Sequence, residues 1–178
     1  MKNNHQRKDE AINWYAAKVK YQTERKVKLW LEEQAIENFI PFRTVLIERN
    51  GRKIKRERPI VPGLLFIRTN YKTACILPVE AKVKIVFLRN LESHQLLIVP
   101  DKQMQDFMFL LDFSDSTLQI ENTNLRQGDR VRVIKGDFAG IEGELIRIKG
   151  HKRVVIRLEG LFSLATAYIP GAYLEKIE

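Results

Sequence analysis

Apolar and polar positions follow two different rhythms along the chain. In the first half, Asn13–Lys20 (NWYAAKVK) is a strand candidate with an aromatic start. Thr23–Glu37 then sets Val27, Trp30, Leu31 and Ala35 at i, i+3, i+4 and i+8, one face of a helix that Thr23 is placed to cap. Phe39–Glu48 and Ile60–Thr69 read as two strands joined through a basic stretch, with Asn50-Gly51 as a turn inside it. Asn70–Leu77 is a short helix ended by Pro78, and Val83–Leu88 and Gln95–Val99 are two more strands. Pro100-Asp101 opens a helix whose Met104, Phe107, Met108 and Leu111 form a core stripe. The second half alternates at period two: Val131 and Val133, then Ile146 and Ile148, then Val154, Ile156 and Leu158, then Ala165, Ala167 and Ile169.

The first rhythm predicts an antiparallel sheet with packed helices, in a split βαβ-like order, and the second a small five-stranded all-β barrel. The class is α+β. Glycine and proline sharpen the division. Seven of nine glycines follow residue 127, where tight turns between short strands need them, while five of six prolines precede it. Ser114–Arg126 is polar and lacks periodicity. The expected organisation is therefore a polar tail at 1–12, a first domain at 13–113, a linker at 114–126 and a second domain at 127–178.

Charge is distributed unevenly. Of a net +9, residues 1–113 carry +8 and residues 114–178 carry +1. Arg49–Arg58 (RNGRKIKRER) holds six Lys/Arg against one Glu, so Arg52, Lys53, Lys55, Arg56 and Arg58 form either a solvated loop or a finger that contacts phosphate. At 44% hydrophobic and 30% charged, the composition is that of a globular chain.

Several classes of function find no support. No apolar run approaches the roughly 20 residues that span a bilayer, and Met1–Glu10 has no apolar core of a secretory signal. A lone Cys75, expected as a small buried side chain, suits a reducing cytoplasm. His5, His94 and His151 are too scattered for a metal site. No phosphate-binding loop precedes a helix and no nucleophile elbow occurs, so a non-enzyme without metal or cofactor is expected.

Gly128–Gly143 reads GDRVRVIKGDFAGIEG: a turn glycine, two inward valines, a Lys-Gly turn, and Phe138 between Gly136 and Gly140. This resembles the KOW motif of small SH3-like barrels. With Asn13-Trp14-Tyr15 at the start and Val61-Pro62-Gly63 before Leu64–Ile67, the chain resembles NusG-type transcription elongation factors from about Asn13 to Ile177. Two departures stand out: Val61 and Leu64 occupy positions usually aromatic in that family, and Leu88-Arg89-Asn90 replaces a Gly-rich turn. The ending Gly160–Ile177 resembles the specialised UpxY-type paralogues of capsular polysaccharide operons.

The resemblance implies a cytoplasmic, monomeric antitermination factor whose first (NGN) domain binds the clamp helices of RNA polymerase. The surface for this would be drawn from Trp14, Tyr15, Val61, Pro62, Gly63, Leu64, Phe66 and Phe87. Strand alternation sends neighbours to opposite faces, so some of these belong instead to the core. The corner after the first strand, with Lys20, Tyr21, Thr23 and Lys26, would meet non-template DNA or nascent RNA, as would the basic finger. In the second (KOW) domain, Gly136, Phe138, Gly140, Arg147, Arg153 and Arg157 would meet a small-subunit ribosomal protein or the Rho terminator. A housekeeping NusG-like factor and a KOW-type RNA-binding protein of the ribosome are the alternatives.

Overall fold

The computed structural model of the chain describes residues 10–81, 83–112, 119–121, 128–148, 151–158, 161–166 and 169–177. The chain divides into two units, Met1–Asp101 and Lys102–Glu178. This division lies upstream of the boundary that composition suggests at 114–126.

In the first unit, β1 (Asn13–Val19) leads to α1 (Glu24–Glu33), β2 (Glu37–Phe39), β3 (Phe42–Arg49), β4 (Arg52–Pro59), β5 (Leu64–Thr69), α2 (Tyr71–Glu80), β6 (Ile85–Phe87) and β7 (Ile98–Val99). The sheet runs β2-β5-β1-β6, and β7 pairs with β1 beside β6. All pairings are antiparallel, with Ala16 opposite Phe66 and Lys18 opposite both Leu64 and Val86. In the two central strands both faces are buried: Trp14 to Ala17 and Leu64 to Ile67 are all inside. On one face, α1 supplies Val27 and Leu31 and α2 supplies Leu77 to a core with Ala17, Val19, Leu65, Ile67 and Ile85. Tyr15 extends it, packing with Ala74 and Leu96 and meeting the Phe87 ring edge-on at 6.1 Å.

Several local expectations change. The helix expected to Glu37 ends at Glu33, and Ala35 leaves its face with φ +55. Thr23 does not cap it. Its hydroxyl donates to Lys20 O at 2.5 Å and closes the turn before the helix. The second helix, capped by the Asn70 side chain, continues through Pro78 to Glu80. On it Ala74 and Leu77 point inward, which leaves Cys75 exposed and not buried as expected. The segment read as a strand from Phe39 breaks at Ile40-Pro41, and β5 begins only after the Val61–Gly63 turn.

The second unit contains α3 (Asp101–Asp112, from Lys102 onward), β8 (Gln119–Glu121), β9 (Arg130–Val133), β10 (Glu142–Ile148), β11 (His151–Leu158), β12 (Phe162–Ala165) and β13 (Leu174–Lys176). These strands form one antiparallel sheet in the order β13-β9-β10-β11-β12-β8. Six strands are therefore described where five are expected. The extra one, β8, lies within the segment read as a linker: backbone pairing with β12 is enough to make a three-residue strand from a polar sequence. The remainder of 114–126 lies outside the described residues. The β9 alternation holds, with Val131 and Val133 buried between exposed arginines. In α3 the buried apolar positions are Met104, Phe107 and Leu110; Met108 and Leu111 of the expected stripe are only half-buried. Asp106, also buried, accepts from the Glu142 amide at 3.2 Å and from Lys102 Nζ at 2.5 Å, and Lys102 also donates to Gly140 O at 2.9 Å.

Arg132 and Glu142 face each other across β9 and β10, with Nε and Nη2 both donating to Oε1 at 2.8 and 2.7 Å. This hydrogen bonding holds the Glu142 carboxyl below its ordinary value of 4.5, against partial burial that pushes it up. A depressed carboxyl contributes stability that is present above the ordinary value and lost as pH falls through the depressed one. Acidifying from about pH 5 to about pH 3 should thus lower the wild-type thermal midpoint more than that of Arg132→Ala. Parallel curves for the two proteins would show that the pair does not couple folding to pH.

Candidate nucleic-acid interface

The basic finger is a ribbon of β3 and β4, which pair with each other and, among the described residues, with no other strand. Arg49 sits opposite Arg52, so the loop is the two residues Asn50-Gly51, with φ of +52 and +71. Two left-handed residues in succession make a type I′ turn, whose twist matches that of the strands it joins. The basic stretch is thus the second strand of the hairpin itself, not a loop between two outer strands.

Register sorts its side chains. Residues directly opposite in an antiparallel pair project to the same side. One face carries Arg43 opposite Arg58, Val45 opposite Arg56, Ile47 opposite Ile54, and Arg49 opposite Arg52. The other carries Phe42 opposite Pro59, Thr44 opposite Glu57, Leu46 opposite Lys55, and Glu48 opposite Lys53. The first face therefore holds five arginines and no acid; the second holds two lysines and two glutamates. All five arginines are exposed, and none pairs with a carboxylate of the described residues. Of the expected finger residues, Arg52, Arg56 and Arg58 share this face, while Lys53 and Lys55 lie on the opposite, electrically balanced one. Arg43 and Arg49 complete the arginine face. They are legible only once the pairing partner is known, because Arg43 lies outside the basic run and Arg49 at its edge.

The base of the ribbon is fastened to α1. Arg25 donates to Glu57 at 2.6 Å, and its guanidinium lies 5.6 Å from the centre of the Phe42 ring. Beside this contact an open cleft of about 540 Å³ is lined by Tyr21, Gln22, Glu24, Arg25, Phe42 and Pro59 and by Arg56, Glu57 and Arg58 of the ribbon. Its other wall is the corner after β1. There Lys20, Tyr21 and Lys26 are exposed, and Gln22 adopts φ +71 to turn the chain. Thr23 spends its hydroxyl on the Lys20 carbonyl. The structure thus joins Tyr21 of the corner with two arginines of the finger. Arg25, Gln22 and Phe42 are additions that their individual residue types did not signal.

The expected polymerase surface is divided by the sheet. Tyr15 and Phe87 lie on the helix-covered face, whereas Trp14, Leu64 and Phe66 share the opposite one. Trp14, Tyr15, Leu64 and Phe66 are 5%, 1%, 1% and 0% exposed, which makes them core side chains and not an open surface. Val61 and Phe87 are half-buried, Pro62 is exposed and Gly63 is buried. The exposed end of the second face is formed by Lys18 and Val86, which sequence reasoning passed over.

In the second unit, Gly136 and Gly140 take φ of +84 and +93 and close the loop around half-buried Phe138. Arg153 is engaged within its own unit, donating to Thr166 O at 2.8 Å. The Arg147 and Arg157 side chains lie outside the description.

Together these features define an α+β module with an exposed basic ribbon and an open cleft lined by three arginines and two glutamates. Among the described residues, no group of three or more His, Cys, Asp or Glu is placed to hold a metal, and no helix is long and apolar enough to cross a membrane. A family model described as "Transcription termination factor nusG" matches residues 12–108, more than half of the chain. The chain belongs to the NusG family of transcription elongation and antitermination factors.

Relatives include the "Transcription termination/antitermination protein NusG" of Streptococcus pyogenes serotypes M1 and M3, each 25% identical over 113 residues, which are 64% of this chain and 63% of theirs. The chain thus spans under two thirds of the length of these relatives. Similar solved structures include one described as "Domain interaction in Thermotoga maritima NusG", at 18% identity and a TM-score of 0.45, covering 94% of this chain and 98% of that one. Another is "Crystal Structure of MjSpt4:Spt5 complex conformation B", at 15% identity and a TM-score of 0.25, covering 93% and 97%.

Proposed function

We propose that this chain is a specialised NusG paralogue that binds RNA polymerase and suppresses pausing and premature termination, in a polysaccharide biosynthesis operon. Family membership across residues 12–108 carries the reading. The Gly160–Ile177 ending supports the specialised role. Polymerase is bound at the exposed end of the second sheet face, by Lys18 and Val86, together with Val61 and Pro62 of the turn before β5. Binding the productive state more tightly than the paused one shifts the population toward elongation without any chemical step. Exposed nucleic acid enters the cleft at the corner, where Tyr21 offers a ring to an unpaired base and Lys20 and Lys26 offer charge to its phosphates. The second unit acts as a KOW barrel of the SH3-like kind and recruits its partner through the Gly136–Gly140 loop and Phe138. The protein works as a cytoplasmic monomer.

The test is transcription by the cognate polymerase through the operon leader and a downstream terminator, with and without this protein. Readthrough should rise on that leader and not on an unrelated template. An equal rise on every template would mark a general elongation factor, and no rise would reject the reading. Lys20→Ala and Tyr21→Ala should each lower readthrough several-fold while leaving the thermal midpoint unchanged, because both side chains are exposed. Wild-type readthrough in both variants would remove the corner from the mechanism.

A further inference from the structure

The two faces of the β3–β4 ribbon differ in more than charge, and the difference selects a ligand. We infer that the arginine face, Arg43, Arg49, Arg52, Arg56 and Arg58, is a docking surface for double-stranded DNA that lays the ribbon into the major groove. This deepens the reading of the finger as a nucleic-acid contact and rests on it.

Length and spacing come first. Six residue steps separate the Arg43–Arg58 pair at the base from the Arg49–Arg52 pair at the tip, or roughly 20 Å at about 3.4 Å per residue. Duplex DNA presents a phosphate for about every 1.7 Å of its axis, so anions are available to both arginine pairs at once. The B-DNA major groove, about 12 Å wide, admits a two-stranded β-ribbon. The major groove of A-form RNA is too narrow and deep for side chains to read.

Between the arginines the face is aliphatic. Val45, Ile47 and Ile54 occupy its middle, and its register contains no aromatic residue. Proteins that hold single strands stack bases on aromatic rings. Here Tyr21 and Phe42 meet Arg56 and Arg58 only in the cleft at the base of the ribbon, and no ring stands along the face between its arginine pairs. Aliphatic side chains flanked by cations instead suit a groove floor, where thymine methyls are the apolar contacts. The opposite face carries two lysines among two glutamates, with Glu48 directly opposite Lys53, and so attracts phosphate far less than five arginines do.

Fluorescence anisotropy of the full chain with a labelled duplex DNA of about 20 base pairs, without polymerase, tests this directly. Five phosphate contacts should weaken binding about 500-fold between 50 and 200 mM salt, from a slope of about 0.9 per contact. A charge-matched pair of double variants separates face from charge. Arg49→Ala/Arg52→Ala should remove about 12-fold of that salt effect, whereas Lys53→Ala/Lys55→Ala should leave the slope as in wild type. Equal slopes in the two variants would show that affinity follows net charge, and would overturn the assignment. Tighter binding of the Tyr21→Ala variant, which lacks the cleft ring, to single-stranded DNA or to duplex RNA of the same sequence would overturn it too, as would no binding of duplex DNA at low salt. Because polymerase is absent, this outcome is independent of the readthrough experiment, so failure of either reading can be told from failure of the other.

Discussion

Phe66→Ala should destabilise the first unit by about 3–5 kcal/mol, the usual cost of emptying an aromatic site in a close-packed core. Phe66 is fully buried in β5, opposite Ala16 of β1 on one side and Phe39 of β2 on the other. Its neighbours along the strand, Leu65 and Ile67, are packed in the core on the other face, so β5 cannot shift toward the void without disturbing that packing. The effect should be read by urea unfolding of the full chain, with the slope checked against wild type. Phe66→Ala would then lose polymerase binding through unfolding, which says nothing about contact. Val86→Ala is the informative companion. Val86 is 47% exposed on the same face, so its truncation should change stability by less than about 1 kcal/mol while weakening polymerase binding. A loss below about 1 kcal/mol for Phe66→Ala would return that side chain to the surface and revive the wider apolar interface.

This pair of variants also shows where sequence reading stopped. Strands were legible within Asn13–Lys20 and Ile60–Thr69 from their β-favouring residues, although the second starts only at Leu64. They are nearly continuous apolar runs, however, and a strand covered on both faces carries no period-two signal to say which side chains are outside. The Trp14, Leu64 and Phe66 set and the Tyr15 and Phe87 set could be separated only by register. The finger shows the converse. Its Asn50-Gly51 turn and its charge were plain, since both are local. Its division into an arginine face and a balanced face depends on a cross-strand partner contributing Arg43 and Arg49. Local rules also failed at two places: the Thr23 hydroxyl closes a turn through Lys20 O rather than capping α1, and Pro78 sits inside α2 instead of ending it. The turns at Gly136 and Gly140 were legible because positive φ is a property of single residues.

Gly63→Ala should cost roughly 2–5 kcal/mol, combining about 1–2 for a left-handed conformation with about 1–3 for overpacking. Gly63 takes φ +74 after Pro62, and Leu64 N donates to Val61 O at 3.2 Å, the pattern of a type II turn. A β-carbon there would lie 2.5 Å from Val19 O, a backbone atom that cannot step aside without moving β1. Both polar groups of Gly63 are also occupied. Its carbonyl accepts from Val19 N at 2.8 Å, and its amide donates at 2.9 Å to the carboxylate of Glu24, which is buried at the first turn of α1. One residue therefore ties the turn to the end of β1 and the start of α1, the corner on which the cleft is built. Gly51→Ala is the control: φ is +71 but nothing lies within 4 Å of the added carbon, so only the conformational cost of about 1–2 kcal/mol applies. Glu24→Ala would strand the buried Gly63 amide at a cost of about 1–3 kcal/mol, and Glu24→Gln, which keeps an acceptor, should cost less. Because Glu24 and Gly63 share one bond, the double variant Glu24→Ala/Gly63→Ala should cost less than the two single losses added together. If Gly63→Ala proved no more damaging than Gly51→Ala, or if the two losses simply added, the turn would not be the clasp between β1 and α1.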